Sequence, residues 1–402
     1  MVSLVRALSA HEGIELATSL FAKTFGHQPD GVWAAPGRVN LIGEHVDYNG
    51  GLCLPMALPH RAYNAMARRE DRIVRLIPSA GGDPLWEGTL DDIYPGADIP
   101  KWVKYAAGPV WALRQTPEFY EKITTGFDAA IASCVPLGGG LSSSAAMECC
   151  VTLGADDLYG LGLAQSQQGR STLAHAGMLA ENKVAGAATG GLDQSASMHA
   201  TAAHALMLDC LHGTFEQIPF DLESQGLRLL VIDTMAHHTL NDGQYEQRRT
   251  VCETVAKREG VGTLRELPDT SATLAHLSDP EEYKRVKHVV TEIQRVRDAA
   301  TALRAGDYET LGELFYASHE SLRSDYEVSA PELDVAVDTA HECGAFGARM
   351  TGGGFGGSAI ALVRSDDIPA VCETITAAFE TRGWILPRFL DAYAAQGAER
   401  VA

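Results

Sequence analysis

A glycine- and serine-rich stretch at residues 136–146, PLGGGLSSSAA, is the feature that most constrains how this chain can fold. Three consecutive glycines let the backbone adopt left-handed conformations and approach a ligand closely. The three serines that follow are common helix N-cap residues, and a helical pattern begins at Ala145. Such a turn presents free N–H groups and the positive end of a helix dipole, so it predicts an anion site, usually for phosphate. The alternative is a flexible surface turn before an ordinary helix.

The glycine loop differs from the GxxxxGK[ST] nucleotide-binding loop, because no lysine stands in it or beside it. The global charge does not help either: 52 acidic against 32 basic residues give the chain a formal charge of −20. A chain this acidic is a poor partner for nucleic acid or an anionic membrane. Attraction for phosphate must therefore come from a few local groups. The length of 402 residues predicts two domains.

The eight cysteines are scattered and none forms a CxxC pair. We expect them to be buried thiols in a reducing compartment, with neither a disulfide framework nor a zinc site. The first residues lack the basic and then apolar pattern of a signal peptide, and no apolar run reaches the roughly 18 residues of a membrane-spanning helix. These features predict a cytoplasmic protein without nucleic-acid or membrane partners.

A second polar stretch, GRVNLIGEHVDYNGG at residues 37–51, contains a strand-like segment at 39–42 and is flanked by two others at 32–35 and 52–56. Glu44, His45 and Asp47 fall within four residues of one turn, and Arg38 stands between two of the strands. Carboxylates and imidazoles exchange hydrogen bonds with hydroxyls, which are the groups that a sugar offers. The alternative is a solvated hairpin turn.

Two further glycine-rich segments follow. Asp193 comes after a Gly-Gly pair and before an apolar run, so it is a candidate catalytic carboxylate or simply a helix N-cap. Residues 351–357, TGGGFGG, predict a hairpin loop that passes very close to a ligand or a neighbouring loop. Elsewhere, a capping box at residues 9–12 predicts a helix to about Gly26, and residues 227–233 predict a buried strand. Residues 243–259 and 281–303 predict charged amphipathic helices.

The stretches 37–51, 136–146 and 351–357 resemble, in order and spacing, the three motifs of the GHMP small-molecule kinases, and the first resembles the galactokinase signature. The resemblance spans nearly the whole chain. It also covers WVKYAAG at 102–108, AENKVAG at 180–186, GLDQ at 191–194 and YEQRR at 245–249.

The resemblance implies a role for each matching residue. Asp193 would take the proton from the sugar O1 hydroxyl, and Arg38 would stabilise charge on the transferred phosphoryl group. The sugar-binding residues would be Glu44, His45, Asp47, Asp193 and Tyr245.

The resemblance also implies that the chain uses ATP and Mg²⁺. Ser144 and Glu181 would be the magnesium ligands. The nucleotide would be held by a phosphate loop formed by Gly138, Gly139, Gly140, Leu141, Ser142, Ser143 and Ser144. Two further residues, Ser79 and Trp102, would lie near the nucleotide.

The implied fold is α+β, the two-lobed GHMP kinase fold. A ribosomal-S5-domain-2-like lobe at residues 1–200 would carry the sugar signature and the phosphate loop, and a ferredoxin-like α/β lobe would span residues 201–402. The active site would lie in the cleft between the lobes. We expect a monomer or a weak homo-oligomer.

The implied reaction is the ATP-dependent phosphorylation of α-D-galactose at O1, which gives galactose 1-phosphate and ADP and opens galactose metabolism. A related sugar such as N-acetylgalactosamine, galactosamine or arabinose is an alternative substrate, because Leu192 and Ser195 depart from residues that are common in the family. A non-catalytic galactose sensor is a further alternative. The sensor type lacks a Ser-Ala pair in the second motif, whereas Ser143, Ser144 and Ala145 are present here.

Overall fold

The computed structural model describes residues 4–79, 82–187, 189–237 and 241–402. Within these ranges the α-helices are Ala10–Phe25 (α1), Lys101–Leu113 (α2), Pro117–Lys122 (α3), Ser143–Leu158 (α4), Gln167–Ala180 (α5), Leu192–His199 (α6), Asn241–Arg258 (α7), Thr270–His276 (α8), Pro280–Ala305 (α9), Tyr308–Ser321 (α10), Pro331–Glu342 (α11) and Ile368–Thr381 (α12). Single π-helical turns, Glu181–Ala185 and Leu322–Tyr326, extend α5 and α10. None of the described helices combines the length and the apolar character needed to cross a lipid bilayer.

The strands of the described residues are Gly31–Asn40 (β1), Leu52–Cys53 (β2), Pro55–Arg68 (β3), Ile73–Pro78 (β4), Trp86–Thr89 (β5), Phe127–Ser133 (β6), His204–Asp209 (β7), Thr214–Pro219 (β8), Leu227–His237 (β9), Gly347–Thr351 (β10), Gly356–Arg364 (β11), Arg388–Ala392 (β12) and Glu399–Arg400 (β13). They form a six-stranded sheet in the order β13-β1-β3-β6-β4-β5, a four-stranded sheet in the order β10-β11-β9-β12, and a three-stranded sheet in the order β2-β7-β8.

The strands β1, β3 and β6 of the six-stranded sheet are buried on both faces, and every residue of β1 is buried. Val32 and Ala34 point toward α1, where they pack with Phe21. Trp33 points to the opposite face and packs against α4, where a Cβ on Gly154 would lie 3.2 Å from the Trp33 ring. Period-two alternation thus divides β1 between two helical layers.

Several local predictions are confirmed. Helix α1 begins with a complete Ser9–Glu12 capping box and ends at Gly26 in the left-handed conformation. The charged helices α7 and α9 and the strand β9 also form where the patterns placed them. The two short strands expected at 32–35 and 39–42 are instead one strand, β1, with an irregular register against β3 between Pro36 and Arg38.

The four-stranded sheet is antiparallel throughout and packs against α10 and α11. Leu311 and Phe315 of α10 and Leu333 of α11 are fully buried in this layer. The end of the chain then returns to the first sheet, where Arg400 pairs with Trp33 across β13 and β1. A boundary between two lobes near residue 200 stays a prediction, but β13 lies with the first sheet.

Candidate active site

A cavity of about 660 Å³ opens between the first and third glycine-rich motifs and the segment that precedes α6. Residues 138–144 of the second motif do not line it but lie beside it, since Gly140 and Ser142 are hydrogen-bonded to Arg38 and Asp193 of its wall. The turn after β1, the segment that precedes α6, helix α7 and the loop between β10 and β11 all contribute walls. Residues more than 300 positions apart in the sequence thus face one space. Its lining is Arg38, Asn40, Gly43, Glu44, His45, Asp47, Lys101, Tyr105, Ala185, Gly186, Ala187, Thr189, Gly190, Gly191, Leu192, Asp193, Tyr245, Glu246, Gly352 and Gly353.

Asp193 and Arg38 form an ion pair at one edge of this cavity. Arg38 Nε donates a hydrogen bond of 2.8 Å to Asp193 Oδ1, and Arg38 Nη2 lies 2.6 Å from the same oxygen. Arg38 Nη1 also donates to the carbonyl of Gly140 at 2.7 Å. The Ser142 hydroxyl donates to Asp193 Oδ2. Asp193 lies in the first turn of α6, whose N-cap is Gly191, so the N-cap alternative for Asp193 is wrong.

The phosphate loop is built differently from the predicted serine cap. Ser142 occupies the N-cap position of α4, but it adopts a left-handed conformation with φ of 57°, and its side chain makes no capping hydrogen bond. Its hydroxyl is used for Asp193 instead, so the first amides of α4 have no side-chain cap. These amides can therefore receive an anion. Gly139 is held from the other half of the chain, since the Ser358 hydroxyl donates to its carbonyl at 2.6 Å.

The third glycine loop folds back against the phosphate loop, as its composition predicts. A Cβ on Gly352 would lie 3.1 Å from the carbonyl oxygen of Gly140, and a Cβ on Gly357 would lie 3.4 Å from that of Gly139. Both Gly352 and Gly357 adopt left-handed φ values of 83° and 82°. Glycine is needed here because the two loops touch through their backbones.

Glu44 is buried, so the solvated-turn alternative for this stretch is wrong. Glu44 Oε2 lies 2.5 Å from Arg349 Nη2, and Glu44 Oε1 accepts a hydrogen bond of 3.0 Å from the amide of Gly352. Burial raises the pKa of Glu44, and the charge of Arg349 opposes that rise. No local pattern predicts this partner, which lies in β10.

His45 is buried as well and adopts a left-handed conformation with φ of 60°. Its Nδ1 lies 2.9 Å from the Tyr48 hydroxyl, and its Nε2 donates to the carbonyl of Gly353 at 3.1 Å. The ring of Tyr245 packs at a centroid distance of 5.2 Å. Burial, reinforced by the nearby His288, lowers the pKa of His45 to about 3. This imidazole is therefore neutral near pH 7 and serves as a hydrogen-bonding group.

Asp47 faces Asp193 across the cavity. Burial, together with the charge of Asp193, raises the pKa of Asp47 to about 6. Gly190 packs directly against Asp47, since a Cβ there would lie 2.3 Å from Asp47 Oδ2. Two acidic groups at one cavity can accept several hydrogen bonds from hydroxyls.

Glu181 lies in the π-helical turn after α5, close to the start of α4. Its carboxylate is in hydrogen-bond contact with the Ser144 hydroxyl. It also accepts a hydrogen bond of 2.7 Å from Gln194 Nε2. Gln194 Nε2 also reaches the buried Glu148 at 2.8 Å. Burial raises the pKa of Glu181, and the charge of Asp193 adds to that effect. The described residues contain no cluster of three or more His, Cys, Asp or Glu that could hold a metal alone.

Ser79 and Trp102 are not part of the cavity wall. Ser79 follows β4, where its amide donates to the carbonyl of Ile131 at 2.8 Å. Trp102 packs against the main core from α2. Helix α2 instead presents Lys101 and Tyr105 to the cavity. These two lie four residues apart on one helix face, a spacing that could have pointed to them in the sequence. The proposed nucleotide contacts of Ser79 and Trp102 stay predictions.

Comparison with known families agrees with this geometry. The galactokinase galactose-binding signature matches residues 19–68, the GHMP kinase N-terminal domain matches residues 104–201, and the GHMP kinase C-terminal domain matches residues 299–381. The chain is 47% identical over 385 residues to a galactokinase of Streptomyces coelicolor, an alignment that covers 95% of this chain and 97% of that protein. It is 40% identical over 376 residues to a galactokinase of Mycobacterium tuberculosis, with 91% and 98% covered.

The fold is also similar to a solved structure, the galactokinase of Lactococcus lactis in complex with galactose. The TM-score is 0.87 at 32% sequence identity, over 95% of this chain and 98% of that one. A mevalonate kinase of Methanococcus jannaschii shares the fold, with a TM-score of 0.62 at 18% identity. The motifs, the two-lobed architecture and these similarities together show that the chain belongs to the galactokinase family of the GHMP kinases.

Proposed function

We propose that this chain is a sugar 1-kinase that transfers the terminal phosphoryl group of ATP to the O1 hydroxyl of α-D-galactose. The products are galactose 1-phosphate and ADP. The observation that carries the proposal is the position of Asp193, whose two carboxylate oxygens are held by Arg38 and by Ser142 of the phosphate loop. A base and a phosphate-binding turn therefore meet at one edge of a polar cavity.

The sugar would bind in the cavity among acceptors that match its hydroxyls. Asp47 and Asp193 offer carboxylates, and His45 offers a neutral imidazole beside the Tyr245 ring. The similarity to relatives that are named galactokinases, one of them solved with galactose, supports galactose as the substrate.

In the transfer step, Asp193 would accept the proton of the sugar O1 hydroxyl as the oxygen attacks the terminal phosphorus of ATP. The phosphorus–oxygen bond to ADP breaks as the bond to the sugar forms. A positioned base of this kind contributes about 10²–10⁴ in rate. Arg38, which is anchored to Asp193 and to the Gly140 carbonyl, would offset the negative charge that spreads over the moving phosphoryl group.

Ser144 and Glu181 fit a magnesium ion. Mg²⁺ prefers a few hard oxygen ligands and keeps several of its waters, so one hydroxyl and one carboxylate are sufficient. The two side chains are already in contact at the start of α4, beside the phosphate loop. A bound Mg²⁺ would supply positive charge to the phosphates of the nucleotide. Because ATP is the donor, we also propose that the chain works in the cytoplasm.

A related sugar stays a second candidate substrate, because Leu192, one of the two departures from the common family pattern, lines the cavity. The test is a steady-state assay of the full chain with ATP and Mg²⁺ against galactose, N-acetylgalactosamine, galactosamine and arabinose. We expect the highest kcat/KM for galactose, and ³¹P NMR should identify the product as the 1-phosphate. A higher kcat/KM for another sugar, or galactose binding without turnover, would refute the proposal.

The magnesium site has its own test. Ser144→Ala should shift the activity titration toward higher Mg²⁺ concentration, because one hard ligand is lost. Ser365→Ala is the comparison variant, since Ser365 follows β11, far from α4, and its exposed hydroxyl donates to the carbonyl of Gly226 at 3.0 Å. An unchanged Mg²⁺ titration for Ser144→Ala would remove Ser144 from the set of ligands.

A further inference from the structure

Arg349 is the most deeply buried arginine near the cavity, with no exposed side-chain surface, yet it does not line the cavity. Its Nη1 donates hydrogen bonds to the carbonyls of Leu41 at 3.0 Å and Asn40 at 3.3 Å. Its Nη2 lies 2.5 Å from Glu44 Oε2. One guanidinium therefore binds the backbone carbonyls of residues 40 and 41 and the carboxylate of Glu44. These groups lead into or belong to the turn at residues 41–47, which we call the sugar turn.

Glu292 of α9 holds the same turn from a second side. Its Oε1 accepts a hydrogen bond of 2.9 Å from the amide of Gly43 and one of 2.6 Å from the Ser318 hydroxyl. Its Oε2 accepts a hydrogen bond of 2.6 Å from Arg295 Nε, and its Oε1 lies 3.8 Å from Arg349 Nη2. Residues 40–44 thus rest on a buried charged cluster that the second half of the chain supplies.

The charges of this cluster balance. Glu44 and Glu292 are offset by Arg349 and Arg295, and burial lowers the pKa of the adjacent His288 to about 4, so that ring is neutral near pH 7. Burying such a cluster does not by itself favour stability over an apolar core, so its value lies in fixing one arrangement of the turn. A forked guanidinium fixes direction as well as charge, which a lysine does not.

We propose that Arg349 is a positioning residue for sugar binding, which sets the orientation of Glu44 and of the turn that carries His45 and Asp47. The inference rests on the proposed function of this site. Arg349 does not itself line the cavity. It acts through Glu44 and through the carbonyls of residues 40 and 41. Glu292 lies beside its guanidinium and binds the amide of Gly43 in the same turn.

The test measures galactose binding to the full chain by calorimetry without ATP, alongside KM for galactose and for ATP. Arg349→Lys keeps a positive charge but cannot reach the carboxylate and both carbonyls at once. We expect its galactose Kd to rise about tenfold, since hydrogen bonds to charged groups are the strong ones. KM for ATP should change by less than about twofold, because the phosphate loop keeps its own contacts.

Arg61→Lys is the matched control. Arg61 is also buried and also holds one carboxylate, that of Glu399, together with the carbonyls of Gln396 and Gly397. Its partners do not include Glu44 or the carbonyls of residues 40 and 41. The Arg61→Lys variant should have a lower melting temperature, as Arg349→Lys should, but an unchanged galactose Kd. Equal losses of affinity in both variants would attribute the effect to general destabilisation and overturn the inference.

A double-mutant cycle separates positioning from a role in structure alone. Glu44→Gln should weaken galactose binding, and adding Arg349→Lys to it should cost less than about twofold more, because coupled residues are not additive. Should Arg349→Lys fail to fold, Ser318→Ala is the milder change, since it removes one donor to Glu292. It should raise the galactose Kd about twofold and leave KM for ATP unchanged, and an unaltered Kd would count against the cluster.

The outcomes also distinguish this inference from the proposed function. Wild-type affinity for galactose in folded Arg349→Lys overturns the positioning role and leaves the proposed function intact. If the unaltered chain neither binds nor phosphorylates galactose, the proposed function is overturned, and the inference with it.

Discussion

The proposed phosphate end of the site, formed by the phosphate loop and the start of α4, offers mainly backbone amides and lies beside the cavity, whereas the proposed sugar end lies within the cavity and offers largely buried side chains. The phosphate loop and the start of α4 are neighbours in the sequence, and their backbone conformation presents the amides, which stay uncapped because the Ser142 hydroxyl donates to Asp193 instead. In the sugar turn, by contrast, Glu44 and His45 are held by Arg349 and Gly353, which are about 300 residues away. The backbone groups of the phosphate loop thus come from one short segment, whereas each of these two side chains of the sugar end is held by a residue from a distant part of the chain. The same contrast predicts which substitutions should separate the two ends.

The largest effect should come from Asp193→Asn, at the point where the two ends meet. The amide keeps the shape of the side chain but cannot accept the proton, so kcat should fall about 10²–10⁴-fold. Galactose affinity, measured by calorimetry, should change far less. A variant with near-normal kcat would exclude Asp193 as the base.

Arg38→Ala should be the next most damaging change. Arg38 links Asp193 to the Gly140 carbonyl, and its loss removes positive charge from the path of the phosphoryl group. We expect kcat to fall about 10²–10³-fold, with a smaller effect on galactose Kd. If only KM for galactose rises while kcat is kept, Arg38 acts in binding and has no part in the transition state.

Two glycine-to-alanine variants test the two ends separately. At the sugar end, a Cβ on Gly190 would lie 2.3 Å from Asp47 Oδ2, so Gly190→Ala must displace that carboxylate. A displacement near 1 Å can cost about 10²-fold, so we expect KM for galactose to rise about 10–100-fold while KM for ATP changes little.

At the phosphate end, a Cβ on Gly139 would lie 3.2 Å from Asp233 Oδ2, a milder contact. Gly139→Ala should therefore raise KM for ATP only about three- to tenfold and leave galactose affinity unaltered. Both KM values come from one steady-state experiment. If the two variants raise KM for the same substrate, the division of the proposed site into two ends is wrong.

The smallest effect is a pH dependence at the sugar end. Because the pKa of Asp47 is raised to about 6, the native state holds its proton more tightly than the unfolded chain does. The free energy of unfolding of the wild type should therefore fall relative to that of Asp47→Asn as the pH rises from about 4 through about 6. Below about pH 4 the difference between the two proteins should stay constant. Urea unfolding of both proteins at several pH values measures this difference in the free energy of unfolding.

Activity should respond in the opposite direction, since a carboxylate accepts hydrogen bonds from sugar hydroxyls better than a protonated acid does. We expect kcat/KM for galactose to fall below about pH 6 in the wild type, as the carboxylate takes up its proton. His45 does not account for such a change, because its pKa is about 3. A profile that is flat across this range would show that the charge of Asp47 is not needed for binding.

Much of the fold could be predicted from local patterns. The capping box of α1, the buried strand β9 and the glycine loop before α4 depend on residues that are close in the sequence. The use of the Ser142 hydroxyl could not be predicted in the same way. Serine before a helix usually caps it, and only the approach of Asp193 from α6 redirects the hydroxyl.

The sequence by itself determined the three glycine-rich motifs, their order and the residue types of the site, because backbone freedom and side-chain chemistry are properties of single residues and short segments. Only the tertiary structure decided that Glu44 would be buried against Arg349, that Asp47 would share a cavity with Asp193, and that the loop at residues 351–357 would touch the phosphate loop. The physical reason is that burial and charge pairing depend on which distant segments pack together, and these in turn set the pKa values and orientations on which the proposed chemistry depends.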